Sequence, residues 1–298
     1  MPSANIARLT DRGVVSVDGG DSEKLLQGLV TNDLQGLRRG EARHAGLLSP
    51  QGKILFEFFV VATASGYLID IAAAKTGDLA KRLTMYKLRA DVAIKDVSSD
   101  YAVYAVWGAG ADALTETRTC LSFKDPRHPE MGVRWLVQAP PPPDKQVVEL
   151  AHLDYDAHRV RLGVPEGGKD YEFGDAYPHE ADFDLFNGVS FGKGCYVGQE
   201  IVARMQNKSV VRKRVVKIAA ASPLRSGRDI QIGDISIGRV GTVDGMHALA
   251  LLRLDRVTDA QEKNQQVRAG NTIVNVDPQA LDRYRASAAA RASATSSP

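Results

Sequence analysis

Residues 191–200 read FGKGCYVGQE and contain one of only two cysteines in the 298-residue chain. Glycines surround Cys195, and Lys193 lies two residues before it. The residues that follow, from Gln199, have helical spacing, so the thiol precedes a predicted helix. A helix N-terminus and a neighbouring cation both stabilise a thiolate. The residues alone leave two interpretations open: a reactive thiol, or a free cysteine packed as a small hydrophobic residue.

The composition is that of a water-soluble globular protein with two or three domains. Hydrophobic residues make up 44% of the chain and charged residues 25%, and the net charge is +2. This balance predicts no direct nucleic-acid partner. No apolar run reaches the length of a membrane span, and residues 1–14 lack a secretory signal. Two cysteines give neither a disulfide framework nor a CxxC pair, so we expect a reducing, cytoplasmic location and no membrane partner.

The order of predicted elements favours an α+β fold. Residues 12–34 indicate a strand, a turn and a short helix, and residues 44–71 indicate two strands and the start of a third. Residues 74–90 then have the spacing of an amphipathic helix. Strands and helices do not alternate strictly, which argues against a doubly wound sheet. From about residue 210, short strands separated by glycines predict a small antiparallel barrel.

Other motifs are better explained by structure than by chemistry. Residues 107–114, WGAGADAL, imitate a dinucleotide-binding fingerprint, but no acidic residue follows the next predicted strand to hold a ribose. His152 and His158 are six residues apart and therefore lie on different faces of a helix. No metal site is predicted. Residues 138–145, QAPPPPDK, indicate an extended connector.

The octapeptide KGCYVGQE, residues 193–200, resembles the signature K-G-C-[FY]-x-G-Q-E of the YgfZ family of folate-binding proteins. That family is close to the mitochondrial-type iron–sulfur cluster assembly factors. The likeness covers most of residues 10–275. It includes LVTNDL (29–34), GLLSPQGKILFEFFV (46–60), RVRLGVPEGGKDY (159–171), PHEADFDLFNGVSF (178–191) and ARMQNKSVVRKR (203–214).

The resemblance implies a fold related to the T-protein of the glycine cleavage system, an aminomethyltransferase that uses tetrahydrofolate. Three domains would surround a central channel: two mixed α/β, ferredoxin-like domains and a C-terminal antiparallel β-barrel. The implied divisions are residues 1–40 with 144–208 for the first domain, 41–143 for the second, 209–283 for the barrel and 284–298 for a disordered tail.

The resemblance also implies a tetrahydrofolate-dependent accessory protein for assembly or repair of [4Fe–4S] clusters, including those of enzymes that thiolate tRNA. Its partners would be folate and iron–sulfur client or assembly proteins; the oligomeric state stays open. Cys195 would act as a nucleophile or a transient cluster ligand. Lys193 would favour the thiolate, and Gln199 and Glu200 would orient the loop. Clusters normally take four ligands, so one cysteine would share the cluster with a partner.

The implied cofactor is tetrahydrofolate or a derivative, and a true aminomethyltransferase is the alternative. The predicted cofactor contacts are Asn32, Asp33, Glu57, Arg161, Tyr196 and Arg204. The T-protein has an Asp-Asp pair where Phe56 and Glu57 stand, and its pterin-anchoring glutamate aligns with Arg161. A permanent cation in place of an acceptor reverses that contact. These departures favour an assembly factor over the enzyme, with a simple folate-binding or scaffold module as a third class.

Overall fold

A computed structural model describes residues 4–111, 120–138, 147–208 and 210–295. The chain forms two compact units. The first comprises Met1–Pro50, Ile54–Tyr155 and Asp184–Val197, and the second comprises Gln51–Lys53, Asp156–Phe183 and Gly198–Pro298. Among the described residues, the helices are too short or too polar for any of them to cross a bilayer.

In its described residues, the first unit contains two five-stranded sheets and the helices α1 (Ser22–Gln27) and α2 (Thr76–Lys87). Its strands are β1 (Ala4–Arg8), β2 (Arg12–Asp18), β3 (Ala42–Leu48), β4 (Ile54–Ala62), β5 (Gly66–Ala72), β6 (Ala93–Asp96), β7 (Ala102–Trp107), β8 (Cys120–Lys124), β9 (Val133–Val137) and β10 (Val147–Leu150). One sheet has the order β3-β4-β5-β2-β6, and the other has the order β10-β1-β7-β9-β8, in which β1 and β10 are parallel.

The core of the first unit forms between the β3–β6 sheet and helices α1 and α2. Strand β4, ILFEFFVVA, is buried along almost its whole length, and its Phe58 packs in this core. Leu26 of α1 and Leu79 and Leu83 of α2 are fully buried against the same cluster. Such spacing of apolar residues is what makes one face of each helix pack on a sheet. This packing fixes the segment that follows α1, from which part of the candidate site is built.

The grouping of strands differs from the predicted boundary at residues 40 and 41. Strand β2 pairs along its whole length with β5, from Arg12 opposite Ala72 to Asp18 opposite Gly66. It therefore belongs to the same sheet as β3 and β4, whereas β1 pairs with β10 from residues 144–208. The reason is nonlocal pairing: β2 is an apolar strand with neighbours on both edges, and local patterning does not identify those neighbours.

The second unit contains the predicted barrel. Its elements are α4 (Gln199–Lys208), β11 (Lys213–Ala220), β12 (Asp229–Ile232), β13 (Ile235–Asp244), β14 (His247–Arg253), α5 (Leu254–Glu262), β15 (Val267–Ala269), β16 (Thr272–Val276) and α6 (Pro278–Thr295). Helix α3 (His152–Leu162) contains the boundary between the units. The strands close in the order β11-β14-β13-β12-β15-β16, and each pair is antiparallel. The predicted barrel and the predicted helix from Gln199 are both confirmed.

The C-terminal segment departs from prediction. Helix α6 runs through Pro278–Thr295, whereas the low-complexity sequence predicts a disordered tail from residue 284. Low complexity suggested disorder, but the commonest repeated residue is alanine, which has the highest helix propensity. Residues 296–298 and most of the proline-rich connector, 139–146, lie outside the described residues.

Candidate functional site: the cysteine loop

The cysteine loop, residues 191–197, exposes its thiol. Cys195 is exposed, whereas Cys120, in β8, is only half-exposed. Gly192 and Gly194 are surrounded by open space, because a Cβ atom built on either would meet no atom within 4 Å. Neither glycine has a positive φ. The fold of the free chain therefore does not require glycine at these two positions, and their effect is to leave the approach to the thiol open.

Lys193 fixes the loop to the segment that follows α1. Its ammonium group donates to the carbonyl oxygens of Gln27 at 2.8 Å, Val30 at 2.6 Å and Asn32 at 2.8 Å. A lysine has three N–H donors, so all of them are used. Burial lowers the pKa of Lys193 to about 8, and the carboxylate of Asp33 opposes that shift. Lys193 therefore anchors the loop, and its effect on the thiolate of Cys195 stays a prediction.

Further contacts hold the loop on both sides of the thiol. The backbone N–H of Ser190 donates to the carbonyl of Thr31 at 3.0 Å. The Lys193 ammonium lies 5.1 Å from the centre of the Tyr196 ring, a cation–π distance. Burial raises the pKa of Tyr196 to about 12. Val197 packs against the core of the first unit. The loop is thus anchored before and after Cys195, and its exposed centre is short.

Asn32 and Asp33 stabilise the segment after α1 to which Lys193 is bound. The Asn32 amide is buried and donates to the carbonyls of His44 at 2.8 Å and Asn187 at 2.6 Å. The Asp33 carboxylate accepts from Gln27 at 2.8 Å and from the N–H of Gln35 at 3.1 Å. Two hydrogen bonds lower the pKa of the Asp33 carboxyl: the one from the backbone of Gln35, which has the larger effect, and the one from the side chain of Gln27. Both side chains have partners within the protein, and their contact with a cofactor stays a prediction.

Glu57 is part of a buried pair that sequence reasoning missed. Its carboxylate lies 2.8 Å from Nε2 of His44, whose Nδ1 lies 3.0 Å from the carbonyl oxygen of Phe186. A carbonyl only accepts, so Nδ1 carries a hydrogen, and one further proton lies between Nε2 and Glu57. His44 stands opposite Phe59 across the β3–β4 pair, two residues from Glu57. The hairpin register was the signal that would have placed the two side chains on one face.

A second buried polar group surrounds Phe59. The arginine cluster consists of Arg12, Arg127 and Arg134 with Asp70, Asp125 and Tyr155. The three guanidinium carbons lie 4.7–5.8 Å from the centre of the Phe59 ring. Burial opposes ionisation of Asp125, but Arg127 and Arg134 outweigh it and lower the pKa of that carboxyl to about 2. Sequence reasoning did not identify this cluster, because its members come from separate strands and loops.

The remaining predicted site residues belong to the second unit. Gln199 and Glu200 form the first turn of α4, where Glu200 makes an exposed ion pair with Arg204 at 3.1 Å. Such exposed pairs contribute little to stability. Arg161, in the last turn of α3, lies 2.6 Å from Nδ1 of His158 and lines a cavity of about 560 Å³. Lys217 of β11 lines the same cavity, whose walls are largely aliphatic.

Two sequence families match this chain. Residues 3–137 match the family described as GCVT N-terminal domain, and residues 212–282 match CAF17, C-terminal beta-barrel domain. The fold is similar to that of glycine cleavage system aminomethyltransferase T from Bartonella henselae, with a TM-score of 0.73, 14% identity and coverage of 92% of this chain and 84% of that one. At this identity the likeness shows the fold alone: the protein has the T-protein-like fold with a C-terminal barrel.

Curated relatives then identify the family. Human iron–sulfur cluster assembly factor IBA57, mitochondrial, is 34% identical over 238 residues, which are 73% of this chain and 67% of the human protein. The Mus musculus protein is 33% identical, over 84% of this chain and 78% of the mouse protein. The Mycosarcoma maydis homologue is 37% identical over 72% of this chain. The chain belongs to the IBA57 family of iron–sulfur cluster assembly factors.

The chain spans only part of several longer relatives. The match covers 57% of the Mycosarcoma maydis protein and 53% of the Neurospora crassa protein. The cytoplasmic location predicted from composition is contradicted, because these relatives are named as mitochondrial proteins. Free cysteines indicate a reducing compartment, but they do not distinguish one such compartment from another.

Proposed function

We propose that this protein assists the assembly or repair of iron–sulfur clusters, and that Cys195 supplies one ligand to a cluster shared with a partner protein. The observation that carries the proposal is an exposed thiol at the centre of a loop anchored on both sides. The names of the IBA57 relatives support the general role. The likeness of the octapeptide to the YgfZ signature supports a role for the thiol itself.

The cluster would be cargo that no site in the described residues holds alone. Among those residues, no group of three or more His, Cys, Asp or Glu side chains is placed to bind a metal. Iron–sulfur clusters normally take four thiolate ligands, so the partner would supply the remaining ligands. On binding iron, the Cys195 thiol loses its proton to solvent, and ligation is therefore favoured as pH rises.

Anchoring of the loop suits such shared ligation. A ligand held by a preformed loop loses less conformational entropy on binding than one on a flexible segment. The three carbonyl bonds of Lys193 and the packing of Val197 provide this preformed geometry. Open space at Gly192 and Gly194 leaves room for the partner's backbone to approach.

The test is rescue of a strain that lacks the native gene, with activity of a [4Fe–4S] enzyme as the readout. We expect Cys195→Ser to fail and Cys120→Ser, the matched control at the half-exposed thiol, to succeed. Full rescue by Cys195→Ser would contradict the thiol role. One-carbon transfer by the purified protein that survives Cys195→Ala would instead favour the aminomethyltransferase alternative.

We further propose that tetrahydrofolate or a derivative binds in the cavity beside Arg161. Its volume, about 560 Å³, is within the range of small-molecule sites. Arg161 and Lys217 would pair with the carboxylates of a folate glutamate tail, and Asp244 and Asp277, which line the same cavity, offer acceptors for pterin N–H groups. Aliphatic walls suit the rings.

Titration of the purified protein with tetrahydrofolate tests this placement. We expect Arg161→Glu to weaken binding at least about tenfold, because it replaces a cation by an anion next to the glutamate tail. Arg225→Glu, at an exposed arginine of the same unit, is the control with the same change of net charge. Equal affinities of the two variants would place folate elsewhere, and absence of binding to the unmodified protein would remove folate from the proposal.

A further inference from the structure

A groove in the first unit lies between α1 and the end of α2. It has a volume of about 420 Å³, and its lining includes Leu25 and Leu29 from α1 and its C-terminal end, and Tyr86 and Leu88 from the end of α2. The carbonyls of Gln27 and Val30, which hold Lys193, come from the same α1 segment. The α1 segment therefore lines the groove and also holds the cysteine loop.

Leu88 combines two unfavourable features at the edge of this groove. It is 85% exposed, which is high for a large apolar residue. Its φ is 48° and its ψ is −107°, immediately after the last residue of α2, where glycine is the usual residue. Positive φ at a non-glycine residue is strained and is concentrated at functional positions. Met85, one turn earlier, is also 66% exposed. Within the part of the chain that the structure describes, both side chains therefore lie mostly in solvent.

The charged rim of the groove is mainly positive. Lys24 and Arg89 line it and are exposed, and within the described part of the chain neither forms an ion pair. Lys87 also lines the groove and donates to the carbonyl of Val92 at 2.7 Å. Asp21, the acidic residue in the lining, accepts from the N–H of Asp91 at 2.9 Å and is thereby engaged. The charges left for a partner are cations.

We propose that this groove binds an acidic amphipathic helix of a partner protein. Apolar residues of that helix would pack on Leu88, Leu25 and Leu29, and its carboxylates would meet Lys24 and Arg89, as in other helix-in-groove complexes. The charge complementarity selects an acidic segment over a basic one. The proposal goes beyond the thiol role and does not depend on Cys195.

A defined probe tests the proposal: a fluorescent 16-residue helical peptide with leucines at every third or fourth position and glutamates elsewhere. Its control is the same peptide with lysines in place of glutamates. We expect the acidic peptide to bind the full chain, to bind more weakly as salt rises, and to bind better than the basic peptide. The double variant Lys24→Glu/Arg89→Glu should reverse that preference.

Leu88→Gly separates binding from folding. Glycine tolerates positive φ, so this variant should keep or raise the melting temperature while binding the acidic peptide at least about tenfold more weakly. Leu153→Ser is the control, since Leu153 is an apolar side chain of α3 that is 79% exposed. It should leave the affinity unchanged, and so should Cys195→Ser.

Three results would overturn the proposal: no binding of the acidic peptide, equal binding of the two peptides, or unchanged affinity of Leu88→Gly. Sedimentation velocity identifies a further contrary case, in which Leu88→Gly abolishes self-association and a second copy is the occupant. If Cys195→Ser fails to rescue the strain but still binds the acidic peptide, that result supports both proposals separately. Loss of the thiol would then leave binding in the groove unaffected.

Discussion

The cysteine loop and the arginine cluster use positive charge in opposite ways within one unit. In the loop, a single ammonium group satisfies three backbone carbonyls, and the residue of chemical interest is exposed beside it. In the cluster, Arg127 and Arg134 are buried and face buried carboxylates. Lys193 positions an exposed segment, whereas the arginines are interior groups whose partners all lie in the fold. Substitutions in the two regions should therefore separate function from stability.

The largest effect is expected at the arginine cluster. Asp125→Asn removes the carboxylate that contacts Arg127 at 2.8 Å and leaves a buried guanidinium without its main counter-charge. Breaking one partner of a buried ion pair costs about 3–5 kcal/mol, and we expect that loss in the free energy of unfolding measured by urea denaturation.

Cys195→Ser is the matched substitution in the loop and should change the free energy of unfolding by less than about 0.5 kcal/mol, as at most exposed positions. Similar losses for the two variants would mean that the loop contributes to stability as much as the cluster does. The contrast between the two regions would then be wrong.

A smaller loss is expected when the anchor of the loop is removed. Lys193→Met leaves the carbonyls of Gln27, Val30 and Asn32 without their charged donor, and we expect a loss of about 2–3 kcal/mol. Hydrogen exchange should accelerate at the amides of residues 27–35 and 191–197. Lys24→Met, at an exposed lysine of the same α1 segment, should alter neither measurement. Unchanged exchange in Lys193→Met would show that Val197 and Ser190 hold the loop without the lysine.

The two regions also differ in how far the sequence predicted them. The octapeptide indicated the loop, the thiol and the start of α4, because local spacing and glycines carry that information. The bonds from Lys193 to the carbonyls of Gln27, Val30 and Asn32 were not predicted, since they join residues that are distant in the sequence. The barrel followed from regular turns. The arginine cluster and the His44–Glu57 pair depend on strand register and nonlocal contacts, which a single sequence does not specify.

The pH dependence of stability should come in part from Asp125. Its folded-state pKa of about 2 is below the ordinary aspartate value of about 3.9, so the unfolded chain takes up the proton first. Its contribution is present above the unfolded pKa and is lost as pH falls through about 4 to 2, by roughly 2–3 kcal/mol. Urea denaturation at pH 5, 4 and 3 should show a shallower decline for Asp125→Asn than for the unmodified chain. Parallel declines would contradict the assignment.

The smallest effect on stability is expected at Gly194. A Cβ there meets no atom within 4 Å and φ is not positive, so Gly194→Ala should change the free energy of unfolding by less than about 0.5 kcal/mol. If a partner's backbone approaches the thiol, however, an added methyl group beside Cys195 should lower [4Fe–4S] enzyme activity in the rescued strain. One added methyl group would then lower function without lowering stability.

Gly132→Ala provides the opposite control, because Gly132 has a φ of 75° and its Cβ would lie 2.2 Å from the carbonyl oxygen of Val106. That variant should be strongly destabilised by the clash and the strain together. If Gly194→Ala is both stable and fully active, the open space beside the thiol is not occupied during function. Ligation would then need only the sulfur to reach the cluster.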